Sequence, residues 1–100
     1  MTRGYRLVYA ADCRRQILRL PPPLKPLIKK AIELLVQKPH TGKRLERDLV
    51  GYLSLRTKRY RVIYRVDENT RTVDIHYVGQ RRDIYEVFVE EIRRQHRPMK

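Results

Sequence analysis

The stretch from Lys43 to Arg65 is the densest in chemistry-bearing residues. It holds eight cations, Lys43, Arg44, Arg47, Arg56, Lys58, Arg59, Arg61 and Arg65, against two acids, Glu46 and Asp48. Arg81 and Arg82 follow after one further apolar run. Cations in this number suit phosphate: each one that neutralises a phosphate releases counterions, so binding weakens steeply with salt. Local spacing sharpens the point. If YLSLR and YRVIYRV are neighbouring strands, Arg56, Arg61 and Arg65 share one face, with Arg81 and Arg82 at its rim. Like charges set side by side on a sheet repel one another unless an anion sits among them. Tyr52 and Tyr85 flank the same region, and aromatic rings stack on unpaired bases.

Other chemistries find less support. Lysine and arginine total 24 against 11 acids, a formal net charge of +13 over 100 residues. That balance bears on partners rather than on fold, and it points to nucleic acid, an acidic protein or an anionic membrane surface. No apolar run approaches the roughly 18 residues of a membrane span. The opening MTRGYRLVYAADCRR carries a charge every few residues and lacks the apolar centre of a signal peptide, so the expected location is the cytoplasm. Cys13 is the single cysteine, which rules out an intramolecular disulfide. At helical spacing with Ile17 it reads as a small core residue. His40, His76 and His96 lack metal-ligand spacing, so neither a metal nor a cofactor is implied.

The elements that must position these residues follow from periodicity. A length of 100 residues suits a single domain, residues 1–100. Residues 3–9 alternate, with Tyr5, Leu7 and Tyr9 on one face of a first strand. Ala10, Cys13, Ile17 and Leu20 recur at helical spacing over residues 10–20. Pro21, Pro22 and Pro23 then break the chain, because proline lacks the amide donor and clashes with a preceding turn. A second helix over residues 24–37 carries Leu24, Leu27, Ile28, Ala31, Ile32 and Leu35 as an apolar stripe. Pro26 falls in its first turn, where proline is tolerated.

The second half changes period. Residues 52–56, 60–66 and 72–78 alternate on a two-residue cycle between short polar turns, the pattern of a three-strand antiparallel meander. One face carries Leu53, Leu55, Val62, Tyr64, Val66, Val73, Ile75 and Tyr77, and packs on the helical hairpin. The other carries Ser54, Arg56, Arg61, Ile63, Arg65, Asp74 and His76 and is open. A last amphipathic helix over residues 83–96 has Ile84, Val87, Phe88 and Ile92 on one side. The expected class is α+β: strand, helical hairpin, three-strand meander, helix.

Over about residues 3–89 the chain resembles the RelE/ParE toxin superfamily. The resemblance is carried by GYLSLRTKRYRVIYRVD and VDIHYVGQRRDIY, with LPPPLKPLIKKAIELLVQKP and GKRLERDLVGY before them in the same order and spacing. It implies a RelE-like fold and the toxin half of a type II toxin–antitoxin module. RelE-like members are ribosome-dependent mRNA endoribonucleases that inhibit translation. In them a 2′-hydroxyl attacks the adjacent phosphate and leaves a 2′,3′-cyclic phosphate, without metal. ParE-like members inhibit DNA gyrase without cleaving anything, and other relatives bind without clear activity. Implied partners are a cognate antitoxin in a hetero-oligomer, the ribosome and mRNA.

By the same resemblance, Arg61 is the cation set against the charge that builds on the transferring phosphate. Arg81 corresponds to the residue that serves the leaving 5′-oxygen. Arginine holds its proton to beyond about pH 12, so Arg81 reads as charge stabilisation at least as much as proton donation. Tyr85 corresponds to the tyrosine that orients or stacks on the substrate nucleotide. Lys43, Arg44, Arg56, Lys58, Arg65 and Arg82 are the expected RNA-binding set. The chain departs from the best-known nucleases at Tyr52 and Ser54, where they carry lysines. Lys43 stands where some relatives have a glutamate base, and supplies a cation or, crowded by Arg44, a base. His76 is a further candidate base, weighed against a cross-strand polar residue. The turn Thr57-Lys58-Arg59 lacks the glycine common there.

Overall fold

The computed structural model describes residues 4–80 and 84–95, and in the last helix the side chains of Phe88, Val89, Glu90, Ile92, Arg93 and Arg94. The elements run β1 (Arg6–Tyr9), α1 (Ala11–Leu18), α2 (Lys25–Leu34), β2 (Lys43–Arg44), β3 (Leu53–Thr57), β4 (Tyr60–Asp67), β5 (Thr72–Gln80) and α3 (Ile84–Gln95). Both hairpin helices are shorter than the periodicity predicts. The first ends near Arg19 ahead of the three prolines, and the second winds down through Leu35, Val36 and Gln37 into the Pro39 turn.

The strands form one sheet in the order β1-β5-β4-β3-β2. β3, β4 and β5 are the expected meander, paired antiparallel. β1 lies parallel to β5, with Tyr9 opposite Ile75, a placement that periodicity leaves open. Beyond Ile75 the outer edge of β5 is partly blunted by Gln16, whose Oε1 accepts the Val78 amide at 2.8 Å. β2 is an addition to the expected order. It spans two residues, with Lys43 opposite Ser54 and Arg44 opposite Leu53.

The main core lies between the sheet and the helical hairpin. Cys13, Leu20, Ile28, Ile32 and Leu35 pack on Leu53, Val62, Tyr64, Val73, Ile75 and Val78. Cys13 is fully buried, as its spacing predicts, and burial pushes its thiol up to about 12. Tyr5, Leu7 and Tyr9 pack against this core from β1, on one face as expected.

A second, smaller core forms on the opposite face, which periodicity left open. Leu49, Ile63 and Phe88 are buried there, with Leu45, Tyr52, Tyr77, Val89 and Ile92 packed against them. α3 thus covers part of that face, and Ile63 is 0% exposed rather than solvated. Central strand β4 is consequently buried on three successive residues, Val62, Ile63 and Tyr64.

Tyr77 is the main correction to the expected faces. β4 and β5 change register at Ile63/Tyr64: Ile63 pairs with Tyr77, and Tyr64 pairs with Ile75. His76 is the extra residue of a β-bulge. A bulge sets two successive residues toward one face and reverses the alternation beyond it. His76 and Tyr77 therefore both face Phe88, with ring centroids 6.2 and 5.8 Å from it, while Val78 returns to the main core.

Candidate functional site

The cationic face is built in rows across the strands. Arg56 and Arg61 stand directly opposite one another on β3 and β4, and Arg61 is opposite Gly79 on β5. The adjacent row runs Lys43, Ser54, Ile63, Tyr77 from β2 to β5. Further along, Arg65 is paired with Asp74. Lys43, Arg56 and Arg65 are exposed, whereas Arg61 is half-buried.

Arg61 is held rather than splayed. Its Nη1 donates to Ser54 Oγ at 3.1 Å, and Ser54 is only 3% exposed. The guanidinium is drawn along the sheet toward β3, into the row that begins at Lys43. Ser54 is a polar residue on a buried row, between Lys43 on β2 and the buried Ile63 on β4. In this position it serves as acceptor for a guanidinium, which a lysine at the same place would repel.

Lys43 reaches this face through a loop that Tyr64 fixes. The Tyr64 hydroxyl, fully buried, donates to the Pro39 carbonyl at 2.8 Å and accepts the Gly42 amide at 2.8 Å. Gly42 is pressed so close that a Cβ there would lie 2.6 Å from the Tyr64 oxygen. Burial raises the Tyr64 hydroxyl above the usual phenol range, against an opposing pull from the Gly42 amide, so it keeps the proton it donates.

The hairpin between β3 and β4 closes on Lys58 and Arg59, with Thr57 opposite Tyr60. Lys58 takes φ 56°, the left-handed conformation that glycine usually supplies in such turns. This places Lys58 at the tip of the hairpin, beyond the Arg56–Arg61 row.

Three expected residues are not brought to the face as anticipated. Arg44 is opposite Leu53, and its alternation with Lys43 directs it to the helical side of the sheet edge. Tyr52 does not stand as an open stacking ring. It meets His76 and Phe88 edge-on at centroid distances of 5.3 and 5.1 Å, with the Arg65 guanidinium over it at 5.3 Å. His76 is part of this aromatic cluster, and burial lowers its pKa more than Asp74 raises it, so it is neutral near pH 7. Its ring borders a small cavity of about 60 Å³ shared with Asp12, Gln16, Tyr52 and Ile92. Arg81 and Arg82 lie outside the described residues. Tyr85 falls in the first turn of α3, but its side chain lies outside the description too.

A five-stranded sheet with a helical hairpin on one side and a cationic face on the other defines a small basic α+β protein of RelE-like fold. Residues 10–85 match the family described as the ParE toxin of type II toxin–antitoxin system, parDE. Toxin RelG of Mycobacterium tuberculosis is 37% identical over 83 residues, 81% of this chain and 95% of that protein. A chain of the toxin–antitoxin complex RelBE2 from the same species superposes with a TM-score of 0.71 at 34% identity, covering 78% of this chain and 99% of that one. The isolated RelE toxin of Escherichia coli shares the fold, with a TM-score of 0.69 at 19% identity over 89% of this chain and 99% of that one. The chain belongs to the RelE/ParE superfamily of type II toxin–antitoxin toxins. Among the described residues no helix is long and apolar enough to cross a membrane.

Proposed function

We propose that this toxin acts as a single domain in the cytoplasm and is a ribosome-dependent mRNA endoribonuclease. The observation that carries this reading is Arg61: a half-buried guanidinium tethered to a buried serine, at the centre of a sheet face with Lys43 and Arg56 beside it. Fixed donors aimed at developing charge stabilise a transition state more than a ground state, because they need not reorganise.

In the proposed reaction the 2′-hydroxyl of one nucleotide attacks its own 3′-phosphate. The bond to the 5′-oxygen of the next nucleotide breaks, leaving a 2′,3′-cyclic phosphate. Arg61 faces the extra negative charge on the phosphorane. Lys43, across from Ser54, is the second cation or the base that takes the 2′-hydroxyl proton. Arg81 serves the leaving oxygen and Tyr85 orients the nucleotide. Arg56, Lys58, Arg65 and Arg82 hold the RNA backbone. Arg44, at the sheet edge, contributes longer-range attraction. His76 serves packing, since its ring is engaged by Tyr52 and Phe88.

A cognate antitoxin in a hetero-oligomer is part of this reading. Solved structures similar to this chain include toxin–antitoxin complexes from Mycobacterium tuberculosis and Escherichia coli. A net charge of +13 favours an acidic partner that docks quickly by electrostatic steering.

The ParE description of the matched family supports a second reading, a non-catalytic gyrase inhibitor. Expression in growing cells with 5′-end mapping of transcripts separates the two. Endoribonuclease action gives growth arrest with cut mRNA, and Arg61→Ala and Arg81→Ala each remove both effects. Stalled gyrase–DNA complexes with intact transcripts would favour the gyrase reading. Bound RNA with neither cyclic-phosphate ends nor growth arrest would mean a binding relative that has lost cleavage.

A further inference from the structure

We propose that Gln16 is a positioning residue for the cleavage site: from α1 it holds the end of β5, from which the chain runs on to Arg81. This role rests on the nuclease reading above. Gln16 is out of place in its own helix. Cys13, Ile17 and Leu20 pack on the sheet. Gln16 stands three residues after Cys13 and four before Leu20, so it belongs to the same face. It is half-buried there. A polar group on a core-facing stripe costs free energy unless it is hydrogen-bonded. Its Oε1 accepts the Val78 amide at 2.8 Å, a backbone group 62 residues away.

That amide is one the sheet leaves over. β1 accompanies β5 as far as Tyr9 opposite Ile75, where the Ala10 amide donates to the Ile75 carbonyl at 3.0 Å. Among the described residues no strand lies along the outer side of residues 76–80. On the inner side the ladder to β4 is interrupted at His76 before it resumes at Tyr77. Bulges disrupt a ladder locally and edges leave amides unpaired, so this end of β5 is the least supported part of the strand. Gln16 replaces the missing neighbour with one side-chain acceptor. Its helix is pinned on either side of it by Cys13 at 0% and Leu20 at 6% exposure, so the acceptor is held in place in advance. Gln16 also lines the cavity of about 60 Å³ together with His76 and Phe88, which sets it beside the bulge itself.

This end of β5 leads into the site. Gly79, next to Val78, stands opposite Arg61. β5 closes at Gln80, and Arg81 follows directly in the chain. Arg61 has its own tether to Ser54 on β3. The separation between Arg61 and the residue after β5 therefore depends on how the last residues of β5 are held. Fraying there would part the cation at the phosphorane from the group at the leaving oxygen while removing neither. Reacting geometry is sensitive to such shifts: a misplacement of about 1 Å can cost about 100-fold in rate. Gln16 acts through β5 rather than on the substrate.

The test uses the full-length toxin and two measurements. Amide hydrogen exchange over residues 76–80 reads the anchor. Single-turnover cleavage on mRNA-programmed ribosomes, as a function of toxin concentration, reads its consequence. Gln16→Leu keeps the bulk of the side chain and removes the acceptor. Exchange at Val78 is expected to quicken about 3- to 10-fold. The limiting cleavage rate should fall about 10- to 100-fold while the half-saturating concentration stays within about threefold. Gln16→Glu, whose carboxylate accepts the same amide, should hold both readouts near wild type, a rescue that bulk alone does not give. Gln16→Met is the second apolar variant should Gln16→Leu fold poorly. A wild-type Val78 amide that exchanges as fast as a free amide overturns the anchor with no variant needed. Folded Gln16→Leu toxin that cuts at the wild-type rate overturns the positioning role and leaves the nuclease reading standing, as does a loss in Gln16→Glu equal to that in Gln16→Leu. A wild-type toxin that cuts nothing, but whose Val78 protection is lost in Gln16→Leu, sinks the nuclease reading while the anchor on β5 stands.

Discussion

Replacing Tyr64 with phenylalanine deletes one oxygen that two backbone groups depend on. The Pro39 carbonyl and the Gly42 amide each meet that oxygen at 2.8 Å. The carbonyl contact is buried and the amide contact half-buried, and the aromatic ring itself is 0% exposed. Phenylalanine fills the ring's volume, so the loss is one of hydrogen bonding alone. Leaving a buried carbonyl unpaired costs about 1–3 kcal/mol, and a half-wet amide costs nearer 1. The expected total is about 2–4 kcal/mol, a large share of a small domain's stability. At about 4–8 °C per kcal/mol in a domain of this size, Tm should fall by about 8–32 °C. Guanidinium unfolding checks this directly: the midpoint should drop with the slope unchanged. The same contact anchors the loop into β2, so folded Tyr64→Phe toxin should also lose cleavage with Lys43. A midpoint shift worth under about 0.5 kcal/mol would refute the clamp.

Three further outcomes follow from local chemistry. Lys58 holds φ 56° at a cost of roughly 1–2 kcal/mol; glycine removes that cost but loses about 0.5–1 kcal/mol to unfolded-state entropy. Lys58→Gly should therefore stabilise the fold by about 0.5–1 kcal/mol in denaturant titration, while weakening RNA affinity by the loss of one cation. His76 has its pKa lowered by burial from an ordinary value of 6.5, so the unfolded chain takes up its proton first as pH falls. Stability should decline on acidification from about pH 7 through 6.5 until the folded form also protonates, and His76→Gln should flatten that part of a stability–pH curve. Cys13, with its thiol pushed up to about 12 and fully buried, should resist thiol reagents in the native toxin and react at a rate set by unfolding. Rapid labelling without unfolding would contradict its place in the core.

The sequence makes legible those elements whose signals repeat. α2 declares itself through Ile28, Ile32 and Leu35, and the meander through residues such as Val62, Tyr64, Val73 and Ile75 at a two-residue period. Arg61 and Arg56 fall together because that period and a two-residue turn leave them little alternative. Other features lack a periodic signal. β2 has two residues, too few to show any period, yet it carries Lys43 to Ser54. The bulge at His76 is a single insertion that leaves DIHYV looking regularly alternating, and it misassigned Tyr77. The burial of Ile63 depends on α3 and on the Leu45–Tyr52 segment folding back over it, a non-local event. Tyr52 reads as an exposed stacking ring for the same reason. Its packing partners Phe88 and His76 are remote in the chain.

The central claim is that Arg61 stabilises the transition state of mRNA cleavage on the ribosome. The direct measurement is the 3′-end chemistry of an mRNA on purified, programmed ribosomes after addition of toxin, with wild type and Arg61→Ala compared at saturating concentration. Wild type should cut within the codon in the decoding site and leave a 2′,3′-cyclic phosphate. Arg61→Ala should still bind the ribosome and leave the message whole. Intact message with wild-type toxin, or equal cutting by Arg61→Ala, would contradict the account.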